Sequence, residues 1–205
     1  MKYLFIAAIF LAIQTSQAQS VFHAPKAEAI RLNDSAINKN IRSGSNPDSL
    51  PAIIALLERS IKADSFYYSA WTNLLGFQCQ AGHYTTALNT AKSIARIFPE
   101  KADMLFFYGA LQYKTGHKKD AATTFNKLLK LYNSTDTRKV NRNDMQTAAI
   151  NKGIVLILLD KKEEGKKLLQ KLADQENDKA VKHYIATYAS MTKEQILNEM
   201  IPGKR

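Results

Sequence analysis

A recurring interval along the chain is the feature that most constrains how it folds. Residues 81–88 (AGHYTTAL) and 115–122 (TGHKKDAA) both carry a Gly-His pair, at Gly82-His83 and Gly116-His117. When the sequence is shifted by the 34 residues that separate Gly82 from Gly116, small and apolar positions superimpose: Ala87 on Ala121, Leu74 on Tyr108, and Ile94 on Leu128. A period of about 34 residues is typical of stacked copies of one supersecondary unit.

The hydrophobic pattern indicates that each unit is helical. Apolar residues recur at spacings of three and four, and no stretch alternates with period two, so the sequence predicts an all-α protein. Short polar breaks divide the chain into helices of about 12–16 residues that come in pairs. The helical segments are 27–64, 68–98, 103–132, 145–173 and 178–200.

Three copies of a motif identify the kind of repeat. The first contains Trp71, Leu74, Gly82, Tyr84, Ala87-Leu88 and Pro99; the second contains Gly109, Gly116, Ala121, Phe125 and Leu128-Leu129; the third contains Gly153, Leu156, Asp160, Lys162, Gly165, Leu169 and Leu172-Ala173. The pattern resembles the tetratricopeptide repeat, a 34-residue helix–turn–helix unit. This resemblance implies a right-handed α-solenoid of about 4–5 antiparallel helix pairs with a concave groove.

The repeats predict the organisation of the chain. The third copy lies further from the second than the second does from the first, which places an insertion within residues 133–144. Thr192 and Gln195 form a predicted capping box for the last helix. We expect one domain over 27–205 after a short extension over 19–26, with repeats over about 27–67, 68–101, 102–133 and 145–177 and terminal helices over 178–200.

The segment over residues 1–18 has the composition of a secretory signal peptide. Lys2 precedes an apolar run over residues 3–13, and Ser16-Gln17-Ala18 supplies small residues at a cleavage site. A membrane anchor is the alternative, but a helix of this length spans only about 16 Å of a hydrocarbon core of about 30 Å. No cysteine follows the run, so a lipoprotein anchor is disfavoured. The sequence predicts a periplasmic or secreted protein.

Catalytic and metal-binding patterns were not found. The single cysteine, Cys79, has no partner for a disulfide in the chain, and the four histidines lack metal-ligand spacing. His83 and His117 belong to adjacent repeats, about 10 Å apart, which is too far for one zinc ion. We therefore predict no enzyme activity, no catalytic residues, no metal and no cofactor.

The resemblance implies that a protein or peptide partner lies in the concave groove. The Lys and Asn clamp by which some family members hold chaperone tails is absent, since Thr72 with Gly76 and Phe106 with Ala110 stand there. Apolar groove positions at Ile150 and Ile154 suggest that the terminal helices fill that end. The candidate ligand-binding residues are Thr72, Cys79, Gln80, Asp103, Phe106, Tyr113 and Lys114, with a core role for Phe106 and Tyr113 as the alternative.

Charge suggests a second function. The chain has a formal net charge of +11, and residues 111–171 contain fourteen basic and six acidic residues. The alternatives are a contact with an anionic membrane surface or polyanion, or lysines that simply keep helices soluble. Nucleic acid is disfavoured because no base-stacking aromatic residues are interleaved with the lysines.

Overall fold

The computed structural model describes residues 23–44, 46–99, 101–134 and 142–201, apart from the side chains at 102–103, 134 and 142–144. The predicted signal peptide and most of the predicted insertion lie outside these ranges. The described residues form helices and no strands, which confirms the all-α prediction. The helices are α1 Ala27–Arg42, α2 Leu50–Ala63, α3 Tyr68–Gln80, α4 Tyr84–Ile97, α5 Ala102–Lys114, α6 Lys118–Ser134, α7 Arg142–Leu158, α8 Lys162–Asp174, α9 Lys179–Ser190 and α10 Lys193–Met200, with a short 3₁₀ turn at Pro47–Ser49.

Each helix from α1 to α8 packs against the next along the chain, as expected for stacked antiparallel pairs. The pairs are α1–α2, α3–α4, α5–α6 and α7–α8, followed by α9 and α10. Most buried apolar side chains from α3 onward form one continuous core, whereas the first pair shares a smaller cluster with α3. Helix α10 departs from this order, because it packs against α5 and α7.

One residue with a left-handed backbone conformation follows the first helix of each of the four pairs. In this conformation the chain turns sharply, and glycine adopts it without steric cost. Asp160 takes the place of glycine in the fourth pair, and its short polar side chain tolerates this region better than most. The four residues and their φ values are Gly44 (58°), Gly82 (74°), Gly116 (89°) and Asp160 (64°).

The histidines that follow Gly82 and Gly116 stabilise the turn through backbone hydrogen bonds. His83 donates its N–H to the carbonyl of Gln78 over 2.9 Å and accepts a bond from Ala87 N–H, and His117 repeats both contacts. Lys161 makes the same two bonds in the fourth pair, so the imidazole is not required for the turn. The Gly-His pair therefore recurs because the turn favours glycine, and the histidine side chain is not needed for it.

The fourth pair contains an unusually close helix crossing. Gly165 stands where the second and third pairs have Ala87 and Ala121. A Cβ atom at Gly165 would lie 2.6 Å from the carbonyl oxygen of Gly153 on α7, and one at Gly153 would lie 2.7 Å from Cγ of Leu169. Two glycines therefore let α7 and α8 approach more closely than alanine allows.

A buried carboxylate anchors the segment before α1. Asp64 is 4 % exposed; its carboxylate lies 2.8 Å from Nε2 of His23 and accepts the N–H groups of Lys26 and Phe66. Burial alone raises the pKa of Asp64, but the bonds from Lys26, His23 and Phe66 outweigh it and the net pKa lies below 3.8. Residues 23–26 are thereby fixed to the α2–α3 turn.

Candidate binding groove

The left-handed residue at each hairpin gives a common register for the groove. Positions at the same offset before this residue are equivalent on α1, α3, α5 and α7. On α3 they are Ser69, Thr72, Gly76, Cys79 and Gln80, and on α1 they are Arg31, Asp34, Asn38, Ile41 and Arg42. We call the positions on α1 and α3 the open half, and those on α5 and α7 the closed half.

The open half is largely accessible. All five positions on α1 are exposed, including Ile41, whose exposure of 68 % is exceptional for a large apolar side chain. On α3, Ser69, Gly76 and Gln80 are exposed, and a Cβ at Gly76 would meet nothing within 4 Å apart from its chain neighbours and the backbone of its own helix. This part of the first-helix wall therefore presents charged, amide and apolar groups to the solvent.

The closed half is covered. The matching positions Phe106 and Ala110 on α5, and Ile150, Ile154, Ile157 and Leu158 on α7, are all buried. Helix α10 packs on both α5 and α7, and its Ile196 and Leu197 join the same core. Of the two terminal helices that the sequence suggested for this end of the groove, α10 covers these first helices, whereas α9 packs mainly on α8.

Polar contacts at the edge of α10 engage two of the predicted ligand-binding residues. Lys114 donates from Nζ to Oδ1 of Asn198 over 3.0 Å. Lys193 pairs with Asp160 over 2.9 Å, and its ammonium lies 4.8 Å from the ring centroid of Tyr113. Cation–π and exposed ion-pair contacts of this kind each contribute about 0.5–1 kcal/mol.

Comparison with solved structures agrees with the stacked-pair geometry. An ArsTM double mutant of MamA RS-1 aligns with a TM-score of 0.53 at 13% identity over 86% of this chain and 92% of that one. MamA 41-end from Desulfovibrio magneticus RS-1 gives 0.52 at 14% identity, over 86% and 93%. YrrB, a TPR protein with an unusual peptide-binding site, gives 0.46 at 18% identity, over 86% and 90%. No family model and no curated protein matches the sequence.

The chain has a tetratricopeptide-repeat fold. The hairpin glycines, the small residues at the helix crossings and the interval from Gly82 to Gly116 are placed as this repeat requires, whereas the intervals before Gly82 and after Gly116 are longer. Its fourth pair differs at two of these places, with aspartate at the turn and glycine at the crossing.

The structure does not bring the seven predicted ligand-binding residues together on one accessible surface. Gln80 is exposed, whereas Thr72 is buried and bonds the carbonyl of Ser69. Phe106 is 9 % exposed and packs edge-on against the ring of Phe125, with centroids 6.4 Å apart. Tyr113 and Lys114 lie beneath the edge of α10. Asp103 lies in the first turn of α5, and its side chain is outside the described part.

Cys79 lies in the groove wall but has the properties of a small apolar side chain. It is partly buried, and burial raises the pKa of its thiol to about 12. The thiolate, which is the nucleophilic form, is therefore scarce at neutral pH. Within the described ranges, no three His, Cys, Asp or Glu side chains are grouped so that they could hold a metal ion.

The groove positions on α1 are not revealed by the repeat interval in the sequence. The first hairpin is longer than the others, so a shift by one regular repeat does not reach these positions. Gly44 supplies the missing signal, because its left-handed φ marks the same turn position as Gly82. Within the described residues, no helix has both the length and the apolar character needed to cross a membrane.

Proposed function

We propose that this protein is a non-enzymatic scaffold that binds a segment of another protein, or a peptide, in the open half of its groove. The observation that supports the proposal most directly is the decrease in solvent exposure of the groove positions from α1 to α7. Equivalent positions are exposed on α1, mostly exposed on α3 and, apart from partly exposed Thr147, buried on α7. Repeats stacked in this way use their concave face for recognition.

The chemistry of the open half suits an extended peptide. Gly76 has no side chain, so a peptide backbone has room to approach α3 closely. Gln80 and Asn38 offer amide donors and acceptors for peptide groups. Ile41 offers an apolar surface for one side chain, and Arg42 places a positive charge beside it.

Filling the floor of the groove tests this proposal. Gly76→Arg should weaken binding at least about tenfold for peptides selected from a displayed library, because the new side chain occupies the space above α3. Asn89→Arg is the matched control, since Asn89 is exposed on α4, a second helix of its pair. Equal affinity of both variants and the parent chain would refute a site on the open half.

We also propose that the protein is exported. The predicted signal peptide over residues 1–18 would place the scaffold in the periplasm or outside the cell. Amino-terminal sequencing of the protein purified from its source should begin at Gln19. An intact residue 1 would contradict cleavage.

A second candidate function rests on the second helices of the third and fourth pairs. Helices α6 and α8, with the residue before α8, carry nine lysines, and within the described residues none lies within 4.0 Å of a carboxylate. Lysine is strongly hydrated and acts as a point charge, which suits attraction to an anionic lipid surface at about 1 kcal/mol per lysine near that surface. The lysines are Lys118, Lys119, Lys127, Lys130, Lys161, Lys162, Lys166, Lys167 and Lys171.

Charge reversal separates this function from simple solubility. Vesicles rich in phosphatidylserine should bind the parent chain at low salt and release it as salt rises. One variant reverses four lysines of α6 and α8: Lys127→Glu, Lys130→Glu, Lys167→Glu and Lys171→Glu. Its control makes the same charge change on α2 and α4: Arg59→Glu, Lys62→Glu, Lys92→Glu and Arg96→Glu. Equal loss in both variants would exclude a dedicated basic face.

A further inference from the structure

Helix α10 occupies the groove as a bound peptide would. After α9 ends at Ser190, two extended residues, Met191 and Thr192, redirect the chain. Helix α10 then lies across α5 and α7, which belong to different pairs. A helix that simply extended the stack would pack on α9 and on the fourth pair and would not reach α5.

The docked face of α10 is a compact apolar pattern. Ile196 is 0 % exposed, Leu197 is 4 % exposed and Ile201 is 1 % exposed. They enter the core that also contains Phe106 and Ile154, which occupy groove positions on α5 and α7. The pattern is therefore two adjacent aliphatic residues and a third five positions after the first.

Several features make α10 the element that separates most easily from the rest. It begins with its own capping box, in which Thr192 and Gln195 satisfy each other's backbone N–H groups. Its polar contacts, from Lys193 and Asn198, are on the exposed edge. Helices α5 and α7 keep their partners α6 and α8 without it, so among the described helices α10 can leave without breaking another helix pairing, and such elements belong to the low-stability part of a fold.

We propose that the closed half is a second binding site, whose ligand is an amphipathic helix with the aliphatic pattern of Ile196, Leu197 and Ile201, and that α10 is its resident occupant. A partner helix with this pattern binds when α10 swings out at Met191-Thr192. The apparent affinity for the partner is then reduced by the fraction of molecules in which α10 stays docked. The inference rests on the proposed function only in taking the concave face as the binding face.

A peptide of residues 191–201, MTKEQILNEMI, tests the site directly when it carries a fluorescent label. Full-length chain with Ile196→Ala and Leu197→Ala holds its own α10 more weakly, so it should bind the peptide at least about tenfold more tightly than the parent chain. The same two substitutions placed in the peptide should abolish binding. Gly76→Arg should leave peptide binding unchanged, which separates this site from the open half.

Two controls address instability of the double variant. Leu57→Ala removes a fully buried side chain from α2, away from the site, and should not increase peptide binding. Lys193→Ala is a milder release, because it leaves the aliphatic face of α10 intact and removes the ion pair, the cation–π contact and the packing of a side chain that is 16% exposed. The α10 amides of this variant should exchange hydrogen faster than those of α5 and α7.

Four results would overturn the proposal. The first is peptide binding that is equal in the parent chain and the double variant, and the second is equal gain in Leu57→Ala. The third is an α10 that exchanges only with global unfolding in both release variants. The fourth is formation of dimers by the double variant without peptide binding, which would assign the groove to exchange of α10 between copies of the chain.

Discussion

Thr124 on α6 donates its hydroxyl hydrogen to Oε1 of Gln112 on α5 over 2.7 Å, and both side chains are buried between the two helices. One repeat later, the fourth pair has Leu156 and Leu168 at these positions. One helix interface is therefore built around a hydrogen bond in the third pair and around two apolar side chains in the fourth.

We expect the fold to tolerate apolar replacement of both hydrogen-bonding side chains better than loss of one of them. Thr124→Val should lower the free energy of unfolding by about 1–2 kcal/mol, because Oε1 of Gln112 stays buried without its donor. The double variant Gln112→Leu/Thr124→Leu should lie within about 1 kcal/mol of the parent chain, since both polar groups leave together. Urea unfolding checks both values. A double variant less stable than Thr124→Val would contradict the explanation.

The second pair offers a control for that experiment. Gln78 and Thr90 occupy the same positions one repeat earlier, but Oε1 of Gln78 has no hydrogen-bond partner among the described residues. Thr90→Val therefore removes no such bond, and we expect a change of under about 0.5 kcal/mol. A loss as large as that of Thr124→Val would show that the two pairs are equivalent in solution.

Gly76 and Gly116 should respond in opposite directions to alanine. A Cβ at either position would meet nothing within 4 Å beyond its chain neighbours and local helix backbone, so packing does not distinguish them. Gly76 lies inside α3, where alanine should add about 1 kcal/mol of stability. Gly116 has a φ of 89°, where a side chain should cost about 1–2 kcal/mol. Thermal unfolding measures both, and a shift of the same sign would refute the backbone explanation.

Gly165→Ala should be more damaging than its small size suggests. The added Cβ meets the carbonyl oxygen of Gly153 at 2.6 Å, and neither helix backbone can move without disturbing the core. We expect a loss of about 1–3 kcal/mol in urea unfolding. Gly76→Ala is the control for helix propensity, and a stabilised Gly165→Ala variant would mean that α7 and α8 separate freely.

Acid should destabilise the protein partly through Asp64. Its pKa is lower in the folded chain than 3.8, so its ionised form stabilises the fold above that pH, and this contribution is lost as pH falls through the folded pKa. Asp64→Asn should cost about 1 kcal/mol at pH 7 and flatten the dependence of stability on pH below about 4. A parallel pH profile in the variant would exclude Asp64 as a source.

Cys79 should resist alkylation in the folded protein. With a pKa of about 12, the thiol is almost entirely protonated at pH 8. We expect iodoacetamide to modify it at least about a hundredfold more slowly than a cysteine in an unfolded peptide, and urea should restore the fast rate. Mass spectrometry follows the reaction. Rapid modification without urea would place the thiol at the surface.

The parts of the fold that depend on local signals were predictable from the sequence. A glycine with positive φ and a small residue at each helix crossing act within one repeat, so Gly82 and Ala87 predict their hairpin without knowledge of the rest. Accessibility of the groove is not local. Thr72, Phe106 and Ile150 share one register position with exposed Asp34, and their burial depends on neighbouring helices, including α10 from the far end of the chain.

The contact of α10 with α5 makes the two ends of the stack of helix pairs differ in how cooperatively they unfold. A linear stack of repeats loses its terminal units one at a time, because each contacts only its neighbours. While α10 is docked it joins the third and fourth pairs, so these two pairs should melt together, whereas among the helix pairs α1–α2, with its smaller cluster, should fray first. A ligand held by α1 and α3 would therefore protect the pair that frays first, and its affinity would appear directly as a gain in the stability of that end.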